Sequence, residues 1–249
     1  MARRTRSISR IADNGAEAAA LPQFNLLLSR LPENEIALAL ERGEQFSVSL
    51  RQQFFEKADP IRKVYFPLTG MASLVTVLKD GTSLEGMTVG REGFVGLPLF
   101  HGIKRHRSEG MCQIEGDFFV IPADDFVEIL AEAPKLQAQL HIYSQFANEV
   151  LTQSAACNGT HLVEQRCARW LLTTADAVGR TTFNLTQEFL SQMLAVRRPG
   201  VTVAVGALER QGLIAHRYGA VSILDVAGLK TASCECYGTI KGSAQDLFA

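Results

Sequence analysis

The sequence predicts an α+β chain in three parts: an N-terminal antiparallel β-roll of jelly-roll type, a long helix, and a C-terminal winged helix-turn-helix. Three observations predict it. Between Phe46 and Ile121, short β-rich runs follow one another with turn residues between them. From Leu136 to Ser154, apolar and small residues recur at alternating spacings of four and three. Finally, Thr186 to Leu213 reads as two short amphipathic helices, and two more β-rich runs follow at once.

The composition allows this architecture. Of 249 residues, 47% are hydrophobic and 20% charged, enough apolar material for real cores. No run is long or apolar enough to span a membrane. The N-terminus lacks an apolar segment after its arginines, which argues against a secretory signal. The five cysteines, Cys112, Cys157, Cys167, Cys234 and Cys236, are odd in number and scattered, which points to a reducing cytoplasm rather than a disulfide framework.

Residues 1–20 carry Arg3, Arg4, Arg6 and Arg10 and then an alanine-rich patch. They read as a flexible N-terminal arm, with a basic arm near nucleic acid or polymerase as the alternative. Phe24 to Leu31 and Glu33 to Leu40 read as short helices split before Pro32. Strands are expected at Val64-Tyr65-Phe66, Ala72 to Leu78, Ser83 to Val89, Gly110 to Ile114 and Phe118 to Ile121. Lys79-Asp80-Gly81 marks a hairpin turn.

Pro134 opens the long helix. Leu136, Leu140, Tyr143, Ala147, Val150 and Ser154 form a seam suited to a second copy of the chain. Ile142, Phe146 and Val150 form a second stripe that would lie on the roll. The alternative is one helix buried inside one large domain. Gly159 ends or bends this helix, and a further helix runs from Val163 to Ala175 with Arg166, Arg169 and Trp170.

In the C-terminal hairpin, Thr186 is placed as an N-cap, and Phe189, Leu190, Met193 and Leu194 give one apolar stripe. The pattern breaks at Ala195 to Arg198 and restarts with Pro199, which the first helical turn tolerates. Val201, Val205 and Leu208 share a buried face; Arg197, Arg198, Thr202, Val203 and Gly206 lie opposite. Gly212 is placed to end the helix. Leu213 to Arg217 and Ala220 to Leu224 surround Tyr218-Gly219 as a β-hairpin. Between Arg180 and Ala232 the basic residues are Arg180, Arg197, Arg198, Arg210, Arg217 and Lys230, against Glu188, Glu209 and Asp225, while the whole chain carries formal charge -1. A local basic surface on a second helix with an arginine-rich start suits a DNA major groove. An ordinary helical hairpin with solvated arginines is the alternative.

Taken in order, these parts resemble the bacterial Crp/Fnr regulators. The resemblance is carried by VYFPLTGMASLV at Val64 to Val75, GREGFVG at Gly90 to Gly96, EQRCARWLL at Glu164 to Leu172, and the winged helix itself. It implies a homodimer that binds duplex DNA at a two-fold related site and adjusts transcription by contacting RNA polymerase. It implies four parts: the arm at 1–20, a sensor roll at 21–133, a dimerisation helix at 134–160 and a DNA-binding domain at 161–249. Base contacts would fall on Arg197, Arg198, Pro199, Thr202 and Val203, and phosphate contacts on Thr186 and Gln187. Arg217 of the hairpin completes the basic set. Pro199 and Val203 depart from the family's frequent Glu and Arg, so the DNA half-site should differ from that of cAMP-responsive members.

Family members that bind cyclic nucleotides hold the ribose with a Gly-Glu pair and the phosphate with an Arg-Ser pair. Here Gly96 is followed by Leu97, although Arg107-Ser108 echoes the second pair. A leucine accepts no hydrogen bond from a ribose hydroxyl, so the expectation is a roll without standard cAMP binding and no cofactor. The alternatives are a cyclic-nucleotide response through Arg107-Ser108, or a metal, haem or redox centre. Cys234-Glu235-Cys236 is closer spaced than usual zinc pairs, and the iron–sulfur members' N-terminal cysteine cluster is missing, so no metal ligand is expected. No HExxH, GxSxG or P-loop pattern points to an enzyme. A roll whose winged helix binds only protein is the reading without DNA.

Overall fold

The computed structural model describes residues 9–10, 25–80 and 83–247. The chain divides into two compact units, residues 1–73 with 89–143 and residues 74–88 with 144–249. The arm expected at 1–20 lies outside the described residues apart from Ser9 and Arg10.

The roll is built from β1 (Ser9–Arg10), β2 (Glu44–Val48), β3 (Gln53–Phe55), β4 (Lys63–Pro67), β5 (Met71–Val77), β6 (Ser83–Val89), β7 (Glu109–Ile114) and β8 (Gly116–Pro122). They form two four-stranded sheets, ordered β1-β2-β8-β4 and β3-β7-β5-β6. All five strands expected from sequence are present. β1 pairs antiparallel with β2, Ser9 opposite Ser47, so part of the N-terminal arm is a strand. Gly81 of the expected turn lies outside the described residues. Residues 74–77 and 83–88, the far part of β5 and β6, belong to the second unit.

The first unit's core is aromatic. Phe94 lies 5.4 Å from Phe66, 5.8 Å from Phe126 and 5.6 Å from Tyr143, ring centre to ring centre. Asn25, fully buried, ties the chain around it. Its amide donates to the Pro67 and Gly93 carbonyls at 3.0 and 2.9 Å, and its oxygen accepts from the Leu27 and Leu28 amides. A buried amide costs free energy unless its groups are paired, and here both ends are.

Helix α1 (Glu33–Arg42) follows Pro32 as expected. The short α2 (Leu97–Phe100) and α3 (Ala123–Glu132) precede α4 (Pro134–Thr160), the long helix. The buried Glu35 of α1 accepts from the Lys135 and Leu136 amides at 3.0 and 2.9 Å. A carboxylate there satisfies orphan donors and meets the positive end of the helix dipole.

Four of the six seam positions expected on α4 turn inwards. Leu136, Leu140 and Tyr143 are fully buried and Ala147 nearly so within a single chain, so these four positions need no second copy to cover them. Tyr143 packs on Gly93, where an added Cβ would come within 2.2 Å of the phenol oxygen. Conversely Ile142, assigned to the stripe facing the roll, is 53% exposed, while Phe146 of that stripe is buried. Two apolar stripes on one helix do not reveal which of their residues face inwards.

The second unit contains α5 (Val163–Val178), β9 (Thr182–Asn184), α6 (Gln187–Met193), α7 (Arg198–Arg210), β10 (Ile214–Arg217), β11 (Ala220–Ile223), α8 (Val226–Ala232) and α9 (Cys236–Leu247). The three strands are ordered β10-β11-β9. β9 extends the expected hairpin; its three residues are too few for alternation to be read. Trp170 of α5, 4% exposed, donates its indole N–H to Glu85 at 3.1 Å. Val150 and Ser154 are half-buried and line a pocket with Glu85, Trp170 and Ile240.

Candidate nucleic-acid interface

Thr186 caps α6, its hydroxyl accepting from the Phe189 amide at 3.2 Å. Phe189, Leu190, Met193 and Leu194 are all buried. The chain then turns through Ala195, which adopts φ 50°, a left-handed conformation that reverses direction within four residues. Arg197 stands at the N-cap of α7 with no side-chain capping bond, and Pro199 occupies the first turn.

From there α7 has two faces. Val201, Ala204, Val205 and Leu208 are buried. Arg197, Arg198, Pro199, Thr202 and Val203 are exposed, Val203 by 69%. Among the described residues, Arg197, Arg198 and Arg217 make no ion pair. The outward start of a thirteen-residue helix adds the positive end of its dipole to the two guanidinium groups. The Thr202 hydroxyl lies 2.9 Å from Gln187 Oε1 and 3.1 Å from the Arg198 carbonyl, so two expected contact residues on different helices are joined. Arg166, buried on α5, donates to the Leu194 carbonyl and holds the turn from behind.

The wing turns through Tyr218 and Gly219 at φ 52° and 77°. Two successive positive φ values define the tight turn that matches strand twist. Arg217 is exposed, and Tyr218 at the tip is fully exposed. Sequence reasoning treated Tyr218 as a turn residue only; its place at the tip beside Arg217 adds an aromatic ring to the basic face. Gly212, at φ 72°, ends α7 as expected.

The four candidate effector-pocket residues fall in two places. Gly96 and Leu97 begin α2, and an added Cβ on Gly96 would meet Phe94 and Val64 side chains at 2.6 Å. Core packing therefore requires this glycine whatever the pocket binds. Arg107 is exposed and Ser108 half-buried at the approach to β7, and among the described residues no hydrogen bond joins the two pairs.

A further group was missed in the sequence. Cys157 and His161, one turn apart near the end of α4, come together with Cys234 and Cys236 at the junction of α8 and α9. Their ligand atoms lie within 4.8 Å of one another. Burial pushes the Cys157 thiol up, and pushes Cys234 to about 12. The two halves lie far apart in sequence, 77 residues from Cys157 to Cys234, so spacing within either half could not reveal the set.

A basic recognition helix set on a helix-turn-helix with a three-stranded wing defines a DNA-binding domain. Residues 165–232 match the family model of the Crp-like helix-turn-helix domain. The whole has the fold of the Crp/Fnr regulators. FixK2 from Bradyrhizobium japonicum superposes with TM-score 0.65 at 16% identity, over 77% of this chain and 98% of that one. A CRP-family transcriptional regulator from Thermus thermophilus gives 0.64 at 21% identity, over 75% and 95%. The c-di-GMP-responsive global regulator CLP of Xanthomonas campestris gives 0.63 at 16% identity, over 77% and 99%. At these identities the likeness is one of fold. No curated protein matches in sequence. Among the described residues no helix is long and apolar enough to cross a membrane.

Proposed function

We propose that the protein is a transcriptional regulator that binds duplex DNA as a homodimer at a two-fold related site and acts on RNA polymerase from there. The carrying observation is the division of α7: four buried positions hold it in the fold, while Arg197, Arg198, Pro199, Thr202 and Val203 all face water. Arg198 reads a guanine through its planar fork, and Val203 meets a thymine methyl. Thr186, Gln187 and Arg217 hold phosphates. Two copies place their α7 helices about 34 Å apart, in successive major grooves.

The roll serves as the sensor and does not take cAMP in the usual way. Leu97 supplies no acceptor where a ribose hydroxyl would need one, and leaving that hydroxyl unpaired costs about 1–3 kcal/mol.

Selection of bound sequences from random DNA by the purified chain tests the reading. The expected product is an inverted repeat, bound with an affinity that falls steeply as salt rises. Arg198→Ala should weaken specific binding by about 1–3 kcal/mol and relax the preference at one base position per half-site. Unchanged sequence preference in that variant contradicts the assigned contacts.

A further inference from the structure

We propose that Cys157, His161, Cys234 and Cys236 bind one zinc ion as a closed, structural Cys3His site. The proposal stands apart from DNA recognition and uses none of its residues.

The geometry is close to that of a bound ion. A tetrahedron with zinc–sulfur bonds of about 2.3 Å has sulfur–sulfur edges near 3.8 Å. Cys157 Sγ and Cys234 Sγ are 3.6 Å apart, and Cys236 Sγ is 3.6 Å from His161 Nδ1. Two opposite edges thus already have the right length, and the remaining separations, none above 4.8 Å, close by about 1 Å at most. The pair Cys234 and Cys236, set only two residues apart, works because residues 234 and 235 are non-helical and Cys236 opens α9. Cys157 lies in the last turn of α4, and His161, the first residue beyond it, stays at i+4 because its amide donates to the Cys157 carbonyl at 3.1 Å.

The surroundings suit an ion rather than four idle side chains. His161 turns its other nitrogen, Nε2, to Glu235 Oε2 at 3.1 Å. A carboxylate there fixes the tautomer that leaves Nδ1 free to ligate, as in carboxylate–histidine–zinc triads. Gln153 donates to Cys236 Sγ at 3.0 Å, a bond that favours a thiolate. Zinc with three thiolates and a neutral imidazole leaves one net negative charge. Arg166 and Arg169 of α5, both buried, lie close enough to Cys157 and Cys234 for their charges to act on these cysteines. Neither arginine has a carboxylate partner among the described residues, and both leave Nε without a hydrogen-bond partner. Buried guanidinium groups call for a counter-charge, and the occupied site supplies it. On binding, three thiol protons pass to solvent and nothing is oxidised or reduced. Four protein ligands leave no open position, so the ion ties the α8–α9 junction to the end of α4 rather than performing chemistry.

Elemental analysis of the full chain, purified without oxygen and without chelators, tests this. One zinc per chain is expected, with three thiols that become reactive together when the zinc is withdrawn. Cys234→Ser should abolish binding, Cys112→Ala should keep it, and Glu235→Gln should weaken it by about 10–100-fold. If Cys234→Ser does not fold, cobalt(II) added to the zinc-free native chain decides. It should give the intense visible bands of tetrahedral thiolate coordination. Substoichiometric zinc both as purified and after addition of zinc chloride, iron in its place, a weak octahedral cobalt spectrum, or a Cys157–Cys234 disulfide in the fresh protein would overturn the proposal.

Discussion

Val203 leaves its methyl groups in water on a face otherwise made of arginine, proline and threonine. Burying such a side chain gains about 1.5 kcal/mol, a gain it forgoes in the isolated chain and would recover in the proposed contact with a thymine methyl. His106 illustrates the opposite case. Its ring stacks on Phe55 at 3.3 Å between centres, nearly parallel. Burial lowers its pKa to about 4, against an upward pull from Asp59. An unfolded histidine titrates near 6.5. The unfolded chain therefore binds more protons between these values. The stabilising contribution of neutral His106 is complete above pH 6.5 and is lost as pH falls through 4, up to about 3 kcal/mol. Nuclear magnetic resonance of the imidazole should show a midpoint near 4, and the roll's denaturation midpoint should drop over the same window. A midpoint near 6.5 contradicts the buried placement.

Among the elements, α6 depends on its cap. Thr186→Ala removes the acceptor for the Phe189 amide and should destabilise the C-terminal unit by about 1 kcal/mol, with Thr186→Ser restoring most of it. Thermal denaturation of both variants checks this; equal melting temperatures count against the cap. The cap was legible because Thr186 precedes an apolar stripe at helical spacing, and α7 was legible for a similar reason: its apolar side is narrow and its polar side clear. Helix α4 shows where periodicity fails. Leu136, Leu140 and Tyr143 are no more apolar than Ile142, and only packing, as of Tyr143 on Gly93 and Phe94, decides which of them turn inwards. The cysteine set was illegible for another reason. Each half is a short, ordinary motif until the fold joins α4 to the α8–α9 junction.

For the whole molecule, the proposed homodimer must use surface that one chain leaves open. On α4 that surface includes Ile142, whereas Leu140 lies wholly inside. Ile142→Asp should therefore weaken the dimer at least tenfold, about 1.4 kcal/mol, with the roll intact. Leu140→Asp should instead disrupt the roll. Sedimentation velocity with circular dichroism separates the two, and a monomeric parent chain would remove the dimer from the account. The bond between Trp170 and Glu85 has a practical corollary. The chain holds a single tryptophan, and its indole is shielded while the strand carrying Glu85 stays in place. The protein thus contains its own optical gauge: any signal that draws that strand off α5 will move the emission of an unlabelled sample to longer wavelength.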